Sequence, residues 1–425
     1  MEKDKKKIKL ITFAPHPNFG TCLQSYALNY VLRQMGHDVE FIFNCREAPP
    51  VHLHTWIWRK MKAFVKLCLP KTKVEEIKRR READPTRRGF NMLSLPNLPV
   101  LRIISRLPFY PRLWKWYKCR DLQWRKVFKF TYEDGNFRMR RIFTHKEYEE
   151  VAKDTDMFIT GSDQIWNPYC GGFNPMMFVE FGEGVKRIAY SSSISRSSFP
   201  PTLVDRVKAD LSKFSHIGVR ESHSVDLLNN LLERTDVRLV VDPTLLLSRE
   251  EWSRFASRAV LEFPLPEKYI FCYCIGKKPK KQKIYEQMIR EVMAMTGIKD
   301  VITLDCYRLH IAYGGGMCYS DAGPYEWVYL LEHASYVCMD SFHATAFALK
   351  FEKDFVHTMK HDDEDMGSAN IRMYDILSRY GLLYKNYTPE GGDAWKRPVD
   401  YTKVTPLVQA EIDESLEFLK FEVEN

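Results

Sequence analysis

Residues 8–44, IKLITFAPHPNFGTCLQSYALNYVLRQMGHDVEFIFN, decide the fold. IKLITFA (8–14) is a short β-rich run, and the polar turn PHPNFG (15–20) follows it. In TCLQSYALNYVLRQMG the apolar residues Leu23, Tyr26, Ala27, Tyr30 and Val31 recur at helical spacing, and Gly36 is a stop. DVEFIFN (38–44) reads as a second strand. A β–loop–α–β unit of this kind is the seed of a parallel sheet.

The alternation breaks at Ala48 and resumes near 146. DMFITGSD (156–163), RIAYSSS (187–193), HIGVR (216–220) and VRLVVDPT (237–244) read as strands, with helical stretches between several of them. SREEW follows, where Ser248 and Glu251 have capping-box spacing. A second series then runs through strand KYIFCYCI (268–275), a basic helix (279–296), strand KDVITLD (299–305) and helix PYEWVYLLEHA (324–334). It continues with strand SYVCMD (335–340), a helix from Ser341, strand KDFVHT (353–358) and a helix over 367–380. The last segment, 405–421, is an amphipathic helix expected to cross back to the first domain. The expected architecture is α/β, with domains at 1–245 and 246–400 facing each other across a cleft and a terminal helix within 401–425. Parallel sheets place their ligands at the carboxyl ends of the strands.

Composition narrows the class. The chain has 425 residues, 45% hydrophobic and 28% charged, which excludes wholesale disorder and suits two domains with an insertion. No short-period repeat suggests a solenoid. No uncharged apolar run approaches about 18 residues, so no membrane-spanning helix is expected. The start, MEKDKKKIKLITFA, reads as a charged tail before a strand rather than a signal peptide. The 10 cysteines are scattered without a CxxC pair, which points to reduced thiols and away from zinc. Cys272 and Cys274 would point to one face of a strand.

Charge is unevenly spread. Residues 51–145 hold 24 Lys and Arg against 7 Asp and Glu, a net +17, so the remainder carries −8 of the chain's +9. Five of the 9 tryptophans lie there: Trp56, Trp58, Trp114, Trp116 and Trp124. Ile57, Met61, Phe64, Val65 and Cys68 make an apolar stripe between Arg59, Lys60, Lys62 and Lys66. That is the pattern of a basic amphipathic helix. It reads either as peripheral contact with an anionic membrane or lipid-linked substrate, or as a helical insertion packed on its own domain. No nucleic-acid-binding signature accompanies it, so no nucleic-acid partner is expected. The location expected is cytoplasmic, at the inner face of the cytoplasmic membrane.

Five motifs fall at predicted strand ends. NFGT (18–21) opens a helix, where Gly20 permits close backbone approach and free N–H groups suit an anion or sugar oxygen. In TGSDQIWN (160–167), Asp163 could take a proton from a substrate hydroxyl and Trp166 could stack on a sugar; a helix cap and a core indole are the structural alternatives. GVRES (218–222) ends an apolar strand in Arg220, which needs a carboxylate or phosphate partner. In MDSFHATAF (339–347), Asp340 or Ser341 would cap the helix and His343 sits in its first turn, able to protonate a substrate or bind phosphate. Arg372 lies in the first turn of a further helix, in SANIRMYDIL (368–377).

Taken in order, FGTCLQSYALNYVLRQMGHDVEFI, FITGSDQIWNP, AYSSSIS, GVRESHSVDLL, VVDPTLLLSREEW, GPYEWVYLLEHASYVCMDSFHATAFAL and ANIRMYDIL resemble the polysaccharide pyruvyl transferases. The match spans the chain apart from the basic insertion and the tail. The resemblance implies two Rossmann-like halves in a GT-B-like arrangement. It implies transfer of a pyruvyl unit from phosphoenolpyruvate, the co-substrate, to two saccharide hydroxyls, giving a cyclic ketal and phosphate. It also implies no strict need for a metal or other cofactor. On this reading His343 is the acid or contacts the donor phosphate, and Arg220, Ser341 and Arg372 hold the donor's anionic groups. Asp163 is the base or the acceptor-hydroxyl anchor, and Asn18, Gly20, Thr21, Gln24, Gln164 and Trp166 line the acceptor side. The sequence departs from the family's pattern at Ala344, where glycine is common, and in NFGT, where paired glycines are common. Both departures bear on the donor pocket's geometry. The same architecture also suits a glycosyltransferase using a nucleotide sugar, and a non-enzymatic scaffold for envelope synthesis is a third class.

Overall fold

The structure is a computed structural model that describes residues 5–13, 18–44, 122–142, 145–170, 172–276, 279–304, 316–319, 321–364 and 368–425. Most of the basic segment, including the amphipathic pattern over 57–68, lies outside the described residues.

The first sheet is built from β1 (Lys7–Ile11), β2 (Asp38–Asn44), β3 (Met139–Ile142), β4 (Met157–Thr160), β5 (Lys186–Ser192), β6 (His216–Val219) and β7 (Arg238–Leu239). Its order is β3-β2-β1-β4-β5-β6-β7, with every pairing parallel. Helices α1 (Phe19–Gln34), α2 (His145–Ala152), α3 (Val204–Leu211) and α4 (Ser222–Leu232) lie between its strands in the chain. Helices α5 (Pro243–Leu246) and α6 (Arg249–Ala256) lead onward. The second sheet holds β8 (Ile270–Tyr273), β9 (Val301–Leu304), β10 (Met317–Tyr319), β11 (Tyr336–Met339) and β12 (Phe355–His357) in the order β10-β9-β8-β11-β12, again parallel. Its helices are α7 (Pro279–Thr296), α8 (Pro324–Glu332) and α9 (Phe342–Lys350), followed by α10 (Ile371–Arg379) and α11 (Tyr401–Glu424). The architecture is α/β, with two Rossmann-like halves.

The central strands follow from their sequences. Met157–Thr160, Ile270–Tyr273 and Tyr336–Met339 are buried along their whole length, as strands covered on both faces must be. Cys272 and Cys274 do share a face, with their sulfurs 3.7 Å apart. The Ser248–Glu251 capping box is present and starts α6.

Three strands differ from the sequence expectation. β3 falls inside the stretch assigned to the insertion; its arginines masked it. Arg138, just before it, pairs with Asp38 at 2.8 Å, and Arg140 reaches Glu40 at 3.8 Å, so β3 joins the sheet edge through cross-strand charge. β10 is only three residues long and was not expected. β7 is two residues rather than the expected run over 237–244. Asp242 accepts from the Thr244 amide and Pro243 takes the first helical position, so α5 starts where the strand was expected to continue.

The two halves share one apolar core. Phe19 of α1 lies 6.4 Å from Trp327 of α8, and Trp252 of α6 lies 4.8 Å from Phe347 of α9. Both tryptophans are fully buried. Polar ties accompany this contact: Lys126 donates to Glu326 at 3.0 Å, and Asn136 donates to the Tyr325 hydroxyl at 2.9 Å. Helix α11 packs on the first sheet, where Ser415 accepts from the Val241 amide at 2.9 Å and Lys186 donates to the Glu422 carbonyl at 2.8 Å. Among the described residues no helix is long and apolar enough to cross a membrane.

Because Trp252 fills the junction, Trp252→Ala should cost about 3–5 kcal/mol. The measurement is the urea unfolding midpoint. An unchanged midpoint would mean that the halves are not held by this core.

Candidate functional site

Strand order reverses between β1 and β4 in the first sheet and between β8 and β11 in the second. Loops diverge at such points and leave a crevice beyond the carboxyl ends. The two crevices meet. Gly20, in the first turn of α1, lies so close to His343, in the first turn of α9, that an added Cβ would overlap the imidazole. Only glycine leaves room for the ring.

Five charged groups converge behind this contact. Arg220 follows β6 and is fully buried; its Nη1 donates to Asp242 Oδ2 at 2.7 Å, and its Nε lies 3.6 Å from Glu221 Oε1. Its guanidinium also lies 4.1 Å from the centre of the Phe342 ring, and that of Arg372 lies 5.8 Å from the same ring. His343 Nε2 sits 3.6 Å from Asp242 Oδ2. Asp163 accepts from the Thr21 hydroxyl at 2.8 Å and from the Gln164 amide at 2.9 Å.

Several donors here have no hydrogen-bond partner: Arg220 Nε and Nη2, Arg372 Nε and, in its protonated form, His343 Nε2. Buried donors of this kind are costly unless something else meets them. Such a cluster could meet a compact anion. Among the described residues no group of His, Cys, Asp and Glu is placed to hold a metal ion.

The electrostatics follow from burial and charge. Burial raises the Asp163 carboxyl, but His343, Arg220 and Arg372 outweigh it and bring it down to about 2. Burial pushes His343 below the usual histidine range; Asp242 and Asp163 oppose this, and Arg220 and Arg372 add to it. The imidazole is therefore neutral at neutral pH. Arg372 is lowered by burial and then by Arg220, the mark of two like charges sharing one site.

Most of the sequence-derived residues gather here, in different roles. His343, Arg220, Arg372, Asp163, Gly20 and Thr21 belong to the cluster. Ser341 stands at the α9 N-cap position without a side-chain cap bond. Asp340 does not cap either; it accepts from the Ile275 and Gly276 amides, both at 2.7 Å, and so ties β11 to the end of β8. Asn18 precedes α1, half-buried, without a side-chain cap bond. Gln164 is half-buried and accepts from Asn167 at 2.9 Å.

Two acceptor-side expectations are corrected. Gln24 is fully buried with its amide spent inside the protein: it donates to Thr12 at 3.2 Å and accepts from the Ser162 amide at 3.1 Å. Trp166 is 1% exposed, donates to the Met177 carbonyl at 3.0 Å and stacks on Phe178 at 6.0 Å, so its ring is core and meets no sugar. The two departures from the family pattern are also core features. The Ala344 methyl and the Phe19 ring are both fully buried in the apolar cluster.

Sequence reasoning missed Asp242 and Glu221. Asp242 joins Arg220, His343, Ser162 and Thr244, and its signal was an acidic residue directly after an apolar strand. Glu221 accepts from Ser193 and, at 3.4 Å, from Ser224.

A family model described as polysaccharide pyruvyl transferase matches residues 18–359. No curated protein matches the chain. Among solved structures, it is similar to a UDP-GlcNAc 2-epimerase from Methanocaldococcus jannaschii, with 10% identity, TM-score 0.44, and coverage of 96% of this chain and 93% of that one. It is also similar to the UDP-GlcNAc 2-epimerase from Neisseria meningitidis bound to UDP-GlcNAc (9%, TM-score 0.43, 97% and 98%). A third is a glycosyltransferase from Rickettsia africae (8%, TM-score 0.45, 99% and 100%).

The Asp163 shift fixes the sign of a pH effect. Its folded pKa of about 2 lies below the unfolded value of about 3.9, so its ionisation stabilises the fold above about pH 4 and that contribution is lost as pH falls toward about 2. Asp163→Asn should therefore cost about 2–3 kcal/mol at neutral pH, with the gap to the parent closing over that acid window. Urea unfolding at stepped pH reads it. A gap independent of pH would contradict the assignment.

Proposed function

The chain belongs to the polysaccharide pyruvyl transferase family, and we propose that it transfers a pyruvyl unit from phosphoenolpyruvate to two hydroxyls of a saccharide. The product is a cyclic ketal, and phosphate is released. The observation that carries this reading is the set of unpartnered donors on Arg220, Arg372 and His343 at the meeting of the two strand reversals. Phosphoenolpyruvate presents a phosphate and a carboxylate a few bonds apart. Two arginines on one phenylalanine ring suit such a compact dianionic pair.

The chemistry needs a proton delivered to the donor's methylene carbon while a hydroxyl oxygen attacks the central carbon. A second hydroxyl then displaces phosphate from that carbon. Of the two hydroxyl protons consumed, one is balanced by the new methyl group and the other leaves with phosphate. His343 is the acid. It is neutral in the empty site, and the donor's negative charge supplies what is needed to protonate it.

Asp163 is held near about 2, far below a useful general base, so its role is to orient an acceptor hydroxyl rather than to take its proton. Asn18, Thr21 and Gln164 flank it on the acceptor side. A lipid-linked acceptor at an anionic membrane surface is proposed on the basic, Trp-rich sequence alone.

Calorimetric titration with phosphoenolpyruvate tests the reading without knowledge of the acceptor. Binding should weaken about 100-fold or more in Arg372→Ala, a loss of about 2.7 kcal/mol. Binding of UDP- or GDP-sugars with no response to phosphoenolpyruvate would move the chain to the nucleotide-sugar glycosyltransferases.

The sign of the pH dependence follows from His343. Its pKa is depressed in the free site and rises on anion binding, so the complex holds more protons than the free protein. Affinity should therefore fall as pH rises from about 6 to about 8. Titration in buffers of differing ionisation enthalpy should show proton uptake, reduced in His343→Gln. Equal uptake in both proteins would remove His343 from the proton balance.

A further inference from the structure

Sequence reasoning passed over Asp242, yet it faces both sides of the site, bonded to Arg220 on one and 3.6 Å from His343 on the other. It follows the two-residue strand β7 and begins α5. Its carboxylate is 1% exposed and fully engaged. Oδ1 accepts from the Thr244 amide at 3.0 Å and from the Thr244 hydroxyl at 2.7 Å, which fixes its plane. Oδ2 accepts from Ser162 at 3.0 Å and from Arg220 Nη1 at 2.7 Å, and lies 3.6 Å from His343 Nε2. The remaining Arg220 donors, Nε and Nη2, have no hydrogen-bond partner.

This geometry has two consequences. A guanidinium clamped by one nitrogen has its free edge aimed in one direction. An imidazole whose Nε2 faces a fixed carboxylate favours one ring orientation and the proton-bearing state. Three other charged groups face His343: Asp163 from the turn after β4, Arg220 from the end of β6 and Arg372 from α10. The arginines disfavour the imidazolium, and Asp163 is already committed to Thr21 and Gln164.

We propose that Asp242 is a positioning residue that sets the orientation and charge of His343 and aims the free edge of Arg220 at the donor. The proposal rests on the site reading above and adds a residue that acts through others. It differs from a purely structural ion pair in one respect. A carboxylate acting on Arg220 alone would alter folding stability and overall affinity without moving the pH at which His343 takes up its proton.

The test is phosphoenolpyruvate affinity by calorimetry from about pH 5.5 to about pH 8.5, in the parent, Asp242→Asn, Asp242→Glu and Thr244→Val, each with its thermal midpoint recorded. In Asp242→Asn the midpoint of the pH profile should move toward acid by about one unit, a tenfold change in proton affinity. Asp242→Glu, which keeps the charge, should recover most of that shift. Thr244→Val removes a donor from Oδ1, makes the carboxylate more basic, and should move the midpoint slightly toward alkali. It also serves if Asp242→Asn does not fold. A profile displaced in affinity with an unmoved midpoint, in whichever variants fold, would overturn the proposal.

If the parent binds no phosphoenolpyruvate at any pH, the site reading fails and Asp242 is judged separately. His343 is then titrated by NMR without ligand, its signal identified by its absence in His343→Gln. At the lowest pH where the parent stays folded, the proposal expects more protonated His343 in the parent than in Asp242→Asn. Equal protonation overturns it.

Discussion

The structure depends on a buried charge cluster at the seam of its two halves. Arg220 is fully enclosed, and it is neutralised by Asp242 after β7 and by its own neighbour Glu221, with Asp163 after β4 close by. Burying a charge costs several kcal/mol unless a partner meets it with good geometry. Here the partners exist because parallel strands of the first sheet end side by side. His343 enters from the second sheet and contacts both Gly20 and Asp242. The site and the seam are thus one object.

That arrangement explains a division of labour. The apolar contact of Phe19, Trp252, Trp327 and Phe347 supplies the cohesion, which leaves the polar cluster free to be imperfectly satisfied. Arg220 and Arg372 carry donors without partners and repel one another. Such frustration is stability given up, which an anion with two charged ends would relieve on the proposed function. Nearby positive charge keeps Asp163 ionised, while burial keeps His343 neutral; on the proposed function, proton transfer would be coupled to donor binding.

Much of this was legible in the sequence because the strands are continuous apolar runs closed by polar turns. Tyr336–Met339 followed by Asp340, and His216–Val219 followed by Arg220, announce both a buried strand and a residue at its open end. Short edge strands were not legible: Met139–Ile142 is half arginine, and its place is set by Asp38 and Glu40 on its neighbour. Side-chain roles were harder still. Gln24 and Trp166 stand where ligand contacts are common, but whether a polar atom meets protein or ligand depends on distant chain, here Ser162 and the Met177 carbonyl. Asp242 was missed for the converse reason, since VVDPT reads as the end of a strand and only the folded chain brings Arg220 and His343 to it.

On the proposed function the two strand reversals jointly form one donor site. A crystal structure of the protein with bound phosphoenolpyruvate tests it most directly. The ligand should lie between Arg220, Arg372 and His343, with its anionic groups on the guanidinium nitrogens that lack hydrogen-bond partners and its methylene carbon toward His343. Phosphoenolpyruvate bound elsewhere, with those nitrogens still unmet, would contradict it.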